Sequence, residues 1–182
     1  MARKRTFHTF REAQKLGAFA EMPMLPEEIQ VQLRLSRNLG SQPFHALFAR
    51  DTLLLLLSGS GTLELRGSSV REFRLDPGDC VYVPAGTAHR LCHPDESVML
   101  RYVPQAPGVE GAAWYCKECG IEVHRETWRT TDGSAHEGYL ASCARFNADA
   151  ARRTCGRCGA AHPPVEVDGF RWAELAAQCR GP

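Results

Sequence analysis

Two matching cysteine pairs constrain this chain more than any other feature of its sequence. The motif Cys-x-x-Cys-Gly at residues 116–120 recurs 39 residues later at residues 155–159. Two such turns can place four thiolates at the corners of a tetrahedron, which suits Zn²⁺ or a single iron ion. The glycine after each pair lets the backbone turn tightly. The sequence therefore predicts one metal site with these ligands: Cys116, Cys119, Cys155 and Cys158.

A four-cysteine site predicts a structural role, because four protein ligands leave no open position for a substrate. The alternative interpretation is four unrelated core thiols. Three histidines flank the pairs and are interpreted as surface residues or hydrogen-bond partners of the ligands: His124, His136 and His162. The other cysteines are interpreted as ordinary thiols: Cys80, Cys92, Cys143 and Cys179.

The bulk composition indicates a single globular domain or one domain with a small appendage. The chain has 182 residues, 43% of them hydrophobic, and a net charge of +1. This charge argues against a general nucleic-acid or membrane-surface binder. The basic residues 1–5 are followed by no apolar stretch, and no apolar run reaches membrane-spanning length. We therefore expect a cytoplasmic protein.

Short alternating segments predict an all-β fold. Residues 9–12 fit a capping box that opens a short helix ending near Phe19. Residues 29–36 alternate apolar and polar side chains, which is typical of a half-buried antiparallel strand. Five further segments read as strands: 53–57, 62–66, 71–75, 80–83 and 98–103. Short strands at this spacing favour a sandwich or barrel such as a jelly roll.

The predicted organisation has three parts. A Pro/Gly-rich stretch at residues 104–111 reads as a linker. We expect a β-barrel with its N-terminal helix in residues 1–110 and the four-cysteine segment in residues 111–165. The tail, residues 166–182, is predicted to contain a short helix near residues 170–178.

A histidine motif lies within the predicted barrel. Gly78-x5-Pro84-x-Gly86-x-x-His89 has the spacing of the second cupin motif, which it resembles except that His93 stands where asparagine is usual. The turns around Gly78 and Gly86 would carry the chain in and out of a strand and aim His89 into the barrel. The first cupin motif is reduced, because His45 is followed by Leu47 rather than by a second histidine.

This combination resembles the bacterial-type 3-hydroxyanthranilate 3,4-dioxygenases over residues 7–163. Those enzymes carry a histidine, a glutamate six residues later, a second histidine about 44 residues after the first, and a rubredoxin-like four-cysteine iron site. Here His45 and Asp51 are six residues apart, and His45 and His89 are 44 apart. The resemblance implies a cupin jelly-roll barrel with a small C-terminal rubredoxin-like segment, and a homodimer.

The resemblance implies that His45, Asp51 and His89 bind Fe(II) as catalytic residues. Two imidazoles and one carboxylate on one face of an octahedron leave three positions for O₂ and a chelating substrate. Alternatives remain open for the acid. Family spacing counted back from Gly59 reaches Thr52, so there is either a one-residue insertion or an Asp51 carboxylate that is out of register, and a surface Asp51 is the competing interpretation. His93 is a possible replacement ligand.

The substrate-binding residues differ from those of the resembled family. Ser41 and His93 occupy the places of two substrate-binding arginines, and Arg101 and Tyr102 lie where the family has a glutamate. Serine cannot replace a bidentate arginine–carboxylate contact. The predicted substrate is 3-hydroxyanthranilate or, with this altered set, a related small aromatic or amino-acid-derived compound. Arginines that could bind an anion from another direction are Arg37, Arg90 and Arg101.

Three functions are therefore open. The first is an Fe(II)-dependent dioxygenase that binds a small molecule and O₂, with Fe or Zn in the four-cysteine site and no nucleic-acid or membrane partner. The second is a cupin metalloenzyme with isomerase or lyase chemistry. The third is a non-catalytic small-molecule binder with a purely structural metal.

Overall fold

Two antiparallel β-sheets form the core of the protein. The computed structural model describes residues 9–16, 21–23 and 31–179. The strands are β1 Met22–Pro23, β2 Val31–Asn38, β3 His45–Phe48, β4 Thr52–Ser58, β5 Gly61–Leu65, β6 Glu72–Leu75, β7 Cys80–Val83, β8 His89–Cys92, β9 Ser97–Pro104, β10 Val109–Tyr115 and β11 Glu122–Arg129. The helices are α1 Thr9–Ala13, α2 Ala135–Ala148, α3 Ala150–Arg153 and α4 Trp172–Cys179.

The strand order is that of a jelly roll. One sheet runs β1-β2-β9-β4-β7, and the other runs β11-β10-β3-β8-β5-β6. Strands distant in sequence are neighbours in both sheets, for example β4 beside β9 and β3 beside β8. Side chains from both sheets share one core cluster. The predicted all-β jelly-roll fold with a short N-terminal helix and an appended C-terminal segment is confirmed. Helix α1 ends at Ala13, and residues 17–19 of the predicted helix lie outside the described part.

Strand β2 is buried on both faces rather than on one. Its apolar side chains, including Leu33 and Leu35, pack under the helices against Leu16 and Leu175. Its polar side chains point the other way, into the barrel, where the Arg34 guanidinium lies 5.6 Å from the Phe48 ring centroid. The expectation of a solvent-facing polar side was therefore wrong, because the helices cover the side that the alternation marks as apolar.

The four-cysteine segment is joined to the barrel by strand β10. This strand pairs with β3 on one side and β11 on the other, so it belongs to the six-stranded sheet. It begins at Val109 and crosses the boundary predicted after residue 110. The segment also contains the 14-residue helix α2, which the sequence analysis did not predict; Ser134 and Glu137 form its capping box.

The C-terminal tail packs against the barrel rather than trailing from it. Trp172, at the start of α4, is fully buried. Its ring lies 5.4 Å from that of Tyr139 on α2 and 5.9 Å from that of Phe44. None of the described helices is long and apolar enough to span a membrane.

Candidate functional site

The two histidines proposed as iron ligands lie on opposite faces of the six-stranded sheet. His89 on β8 pairs directly with Ala46 on β3, so these two side chains share a face. Ala46 belongs to the barrel core, whereas Leu47, two residues from His45, packs on the outer side. Because successive strand residues alternate in direction, His45 points outward and His89 points inward. The predicted convergence of the two imidazoles is not found.

Inside the barrel, the free nitrogen of His89 already has a partner. Its Nδ1 lies 3.0 Å from the Thr87 carbonyl oxygen, which fixes Nδ1 as the donor and leaves the Nε2 lone pair as an acceptor. Arg101 Nη1 donates to that Nε2 at 2.7 Å. Burial, reinforced by the Arg101 charge, lowers the pKa of His89 to about 3. The lone pair that a metal would need therefore accepts a hydrogen bond from a cation.

Arg101 belongs to a buried network of four charged side chains. Its Nε donates to Glu21 Oε1 at 2.6 Å, and Arg34 Nη1 lies 3.7 Å from the other oxygen of Glu21. Arg34 also binds Glu110 through both Nη atoms, at 2.5 and 3.3 Å. Two arginines and two glutamates balance in charge. Despite its burial, the pKa of Glu21 is lowered because Arg101 and Arg34 stabilise its carboxylate.

Asp51 lies outside this interior. It is exposed between β3 and β4, and its Oδ1 accepts a hydrogen bond from the Ala85 backbone N–H at 2.8 Å. Its neighbour Thr52 is buried and shares the barrel face of β4 with Leu54. The register therefore puts Thr52, not Asp51, on the barrel side of β4, so a hydroxyl is found where the carboxylate was expected.

The predicted substrate-binding residues are not brought together. Arg101 is inside the barrel, whereas Ser41 and Tyr102 are exposed. His93 is buried just beyond β8, where its Nδ1 lies 2.8 Å from Ser97 Oγ and 3.2 Å from the Ser60 carbonyl oxygen. These contacts hold the His93 ring between the β4–β5 turn and the start of β9.

The four cysteines do converge. Their sulfur atoms all lie within 4.8 Å of one another, and two of the pairs are 3.5 Å apart. A tetrahedral site with Zn–S bonds of ~2.3 Å has sulfurs ~3.8 Å apart, so the spacing fits a metal. Across the described residues 9–16, 21–23 and 31–179, no other cluster of three or more His, Cys, Asp or Glu side chains is close enough to hold an ion.

The two cysteine turns have the same backbone design. Cys116 N–H donates to the Ile121 carbonyl, and Gly120 N–H donates back to the Cys116 carbonyl. Cys155 and Gly159 repeat this arrangement, and both glycines have φ near +70°. Backbone N–H groups of residues 158 and 157 lower the pKa of the Cys155 thiol to about 6, whereas hydrogen bonds from neighbouring thiols raise the pKa values of Cys158 and Cys119.

His45 faces a cavity on the outer side of the sheet instead. Its Nε2 accepts a hydrogen bond from Arg66 Nε at 3.2 Å, and its ring meets that of Tyr115 edge-on at 4.8 Å. Burial, followed by the charges of Arg66 and Arg90, lowers its pKa to about 3. The imidazole is therefore neutral at physiological pH.

Three residues of the buried network were not predicted from the sequence: Glu21, Arg34 and Glu110. The polar residues that alternate along β2 could have indicated this network, since the arginine at the centre of the strand, Arg34, must face either solvent or a buried acid. The partners of Arg34 come from residue 21 and residue 110, and no local pattern links those positions.

Sequence comparison finds two dioxygenases among the relatives. A 3-hydroxyanthranilate 3,4-dioxygenase from Jannaschia sp. is 32% identical over 115 residues, which are 60% of this chain and 62% of that enzyme. One from Podospora anserina is 26% identical over 103 residues, 54% and 55% of the two chains. An anthranilate phosphoribosyltransferase from Stenotrophomonas maltophilia is 34% identical over 82 residues, but these cover 43% of this chain and 24% of that enzyme. The chain thus spans about six-tenths of the dioxygenases it matches.

Structural comparison finds a dioxygenase and a cupin-domain protein among the solved structures. A hydroquinone 1,2-dioxygenase has a TM-score of 0.47 at 17% identity and covers 53% of this chain and 71% of its own. A cupin-2 domain protein from Shewanella frigidimarina has the same TM-score at 14% identity, covering 54% and 94%. No protein-family profile matches the chain.

Proposed function

We propose that this chain, which resembles the 3-hydroxyanthranilate 3,4-dioxygenases in sequence and the cupins in fold, binds a small molecule without iron in its barrel. The observation that carries the proposal is the pairing of Ala46 with His89, which puts His45 and His89 on opposite faces of one sheet. An iron site of the predicted type needs both imidazoles and a carboxylate on a single face.

The electrostatics of the interior support the same proposal. Arg101 donates to the one inward-facing imidazole, and Glu21 is already paired with that arginine. A divalent cation at His89 would have to displace a guanidinium and then lie beside its charge. Removing Arg101 from this pocket would also leave Glu21 buried with fewer partners, which is costly. The barrel residues therefore do not fit the iron that the family uses.

The four-cysteine site is proposed to hold Zn or Fe as a structural ion. Cys116 and Cys119 follow β10, and Cys155 and Cys158 follow α3, so an ion would connect the two ends of the C-terminal segment. Bound to four protein ligands, it supplies a cross-link and leaves no coordination position for a reactant. The predicted homodimer and cytoplasmic location stay predictions.

Metal counting tests the proposal. We expect about one ion per chain in protein produced with both zinc and iron available, since the described residues form one ligand cluster. Cys155→Ser should lose the ion, and His89→Ala should keep it. Cys80→Ser is the matched control, because Cys80 is an exposed thiol outside the cluster. Two ions per chain, one of them lost in His89→Ala, would contradict the proposal.

A second candidate function is the ring-cleaving dioxygenase reaction on a small aromatic compound with Fe(II) and O₂. The observation that favours it is that two of the relatives carry this activity in their names. Oxygen uptake after Fe(II) addition, with a panel of aminophenols and catechols, tests it. Uptake that disappears in His89→Ala would establish this candidate, and no uptake with any compound would support the binder.

A further inference from the structure

The outer face of the six-stranded sheet carries a cavity of about 350 Å³, here called the outer groove. Its floor is the outward-facing side of β3, β5, β8 and β10, and its far wall is the first cysteine turn with His162. The side chains that the argument uses are His45, Glu64, Arg66, Arg90, Tyr115 and Lys117. A cavity of this size matches those that hold small organic ligands.

Strand register puts these side chains on one surface. Glu64 on β5 is the direct partner of Arg90 on β8, and His45 on β3 is the direct partner of Ala113 on β10. Arg66 and Tyr115 follow at two-residue spacing from Glu64 and Ala113, so they point the same way. The outer groove is therefore set by backbone pairing and is separate from the barrel interior.

Basic side chains outnumber acidic ones in the lining of the groove. Arg66, Arg90 and Lys117 line it, against one carboxylate from Glu64. Glu64 Oε2 lies 4.0 Å from Arg90 Nη1 and 3.4 Å from His45 Nε2, so this one carboxylate can offset only one of the three positive charges. Arg66 Nε donates one hydrogen bond to His45 Nε2 at 3.2 Å. Arg90 Nε donates one hydrogen bond to the Gln42 carbonyl oxygen at 2.8 Å. Their terminal N–H groups lie beyond these anchoring bonds.

The aromatic groups of the groove are also fixed. The Arg66 guanidinium lies 5.0 Å from the Tyr115 ring centroid, and His45 meets the same ring edge-on. Tyr115 is held from the other end by its hydroxyl, which donates to Glu122 at 3.1 Å. Two anchored guanidinium groups beside a fixed ring and a neutral imidazole form a preorganised surface for a flat anion.

We propose that the outer groove binds a small aromatic carboxylate. The carboxylate meets Arg66 and Arg90, which present the planar donors that suit it. Its ring lies along His45 and Tyr115. Arg66 and Arg90 lie at the β5–β8 end of the groove, so the acid group points to that end. This inference rests on the proposed small-molecule function.

Calorimetric titration of the metal-loaded full chain tests the proposal, with benzoate as the probe and benzamide as its uncharged match. Benzoate is expected to bind at least tenfold tighter than benzamide. Arg66→Gln and Arg90→Gln should each weaken benzoate about tenfold or more, because a charge-assisted hydrogen bond is lost. Glu64→Gln should tighten it, since the competing carboxylate is removed. Arg74→Gln is the control, because Arg74 is 82% exposed and lies outside the groove.

Three results would overturn the proposal. Equal affinity for benzoate and benzamide would show that the carboxylate is not recognised. Competition by inorganic phosphate at equal concentration would show that the aromatic ring is not recognised. Wild-type affinity in both arginine variants, with unchanged melting temperatures, would show that the ligand does not bind in the outer groove. Any of these with one metal ion per chain would leave the proposed function intact, whereas two ions per chain would count against that function and not against the groove.

Discussion

Glu21 is the acid that contacts both arginines of the barrel interior. Arg101 and Tyr139 donate to its two oxygens, at 2.6 and 3.4 Å, and Arg34 lies nearby. The carboxylate is 3% exposed, so water cannot replace any of these partners. A buried ion pair of this kind is expensive to break, although an apolar replacement of the whole group can be tolerated.

Glu21→Gln should therefore destabilise the protein by about 3–5 kcal/mol, because Arg101 and Arg34 stay buried with one acid between them. Chemical denaturation followed by circular dichroism measures this. Glu96→Gln is the control, since it removes an acid from the exposed pair with Arg37 and should change stability little. Equal loss in both variants would show that burial of the network does not matter.

Residue identity alone predicted that the four cysteines converge, but it did not predict the directions in which the two histidine side chains point. Each cysteine turn is closed by bonds within six residues, so its motif carries its geometry. The direction of His45 depends on which residue of β10 it opposes, 68 positions along the chain. A one-residue shift in such a pairing reverses the face, and no local pattern fixes it. Arg101 and Glu21, 80 residues apart, are unpredictable for the same reason.

At the scale of elements, helix α2 fixes the C-terminal segment to the barrel. Its rings Tyr139 and Phe146 are buried, and Phe146 stacks on Trp114 of β10 at 4.1 Å. Gly138 faces β11, where a Cβ would overlap the Trp128 indole. Glycine usually weakens a helix by its backbone freedom, but here the close approach of strand and helix requires it.

Gly138→Ala should destabilise the protein by about 1–3 kcal/mol through overpacking, the reverse of the usual effect of this substitution in a helix. Thermal unfolding measures the change. Gly169→Ala serves as the control, because a Cβ there meets no atom within 4 Å, and it should lie within about 0.5 kcal/mol of wild type. A stabilised Gly138→Ala protein would contradict the tight contact.

Over the whole molecule, buried histidines make stability depend on pH. Burial is the main cause that lowers the pKa of His89 to about 3 and of His136 to about 4. An unfolded histidine has a pKa near ~6.5. Between these values the unfolded chain binds protons that the folded protein excludes, so stability falls as pH decreases.

We expect the unfolding free energy to decrease below about pH 6.5, by up to ~1.4 kcal/mol per pH unit for each of these histidines. Below about pH 4.5 the lowered pKa of Glu21 adds a further loss in the same direction. Urea midpoints at pH 7, 6 and 5 and constant ionic strength measure the slope. His136→Gln should flatten it, and a wild-type curve that is level over this range would contradict the burial argument.

The aromatic contacts of helix α2 determine what intrinsic tryptophan fluorescence can report. The chain has three tryptophans, and each contacts a ring of this helix: Trp114 lies against Phe146, and Trp128 and Trp172 lie against Tyr139. Intrinsic fluorescence therefore registers the undocking of the C-terminal segment, whereas far-ultraviolet dichroism registers the strands. Agreement or divergence of the two curves in one titration tells whether the segment and the barrel come apart together.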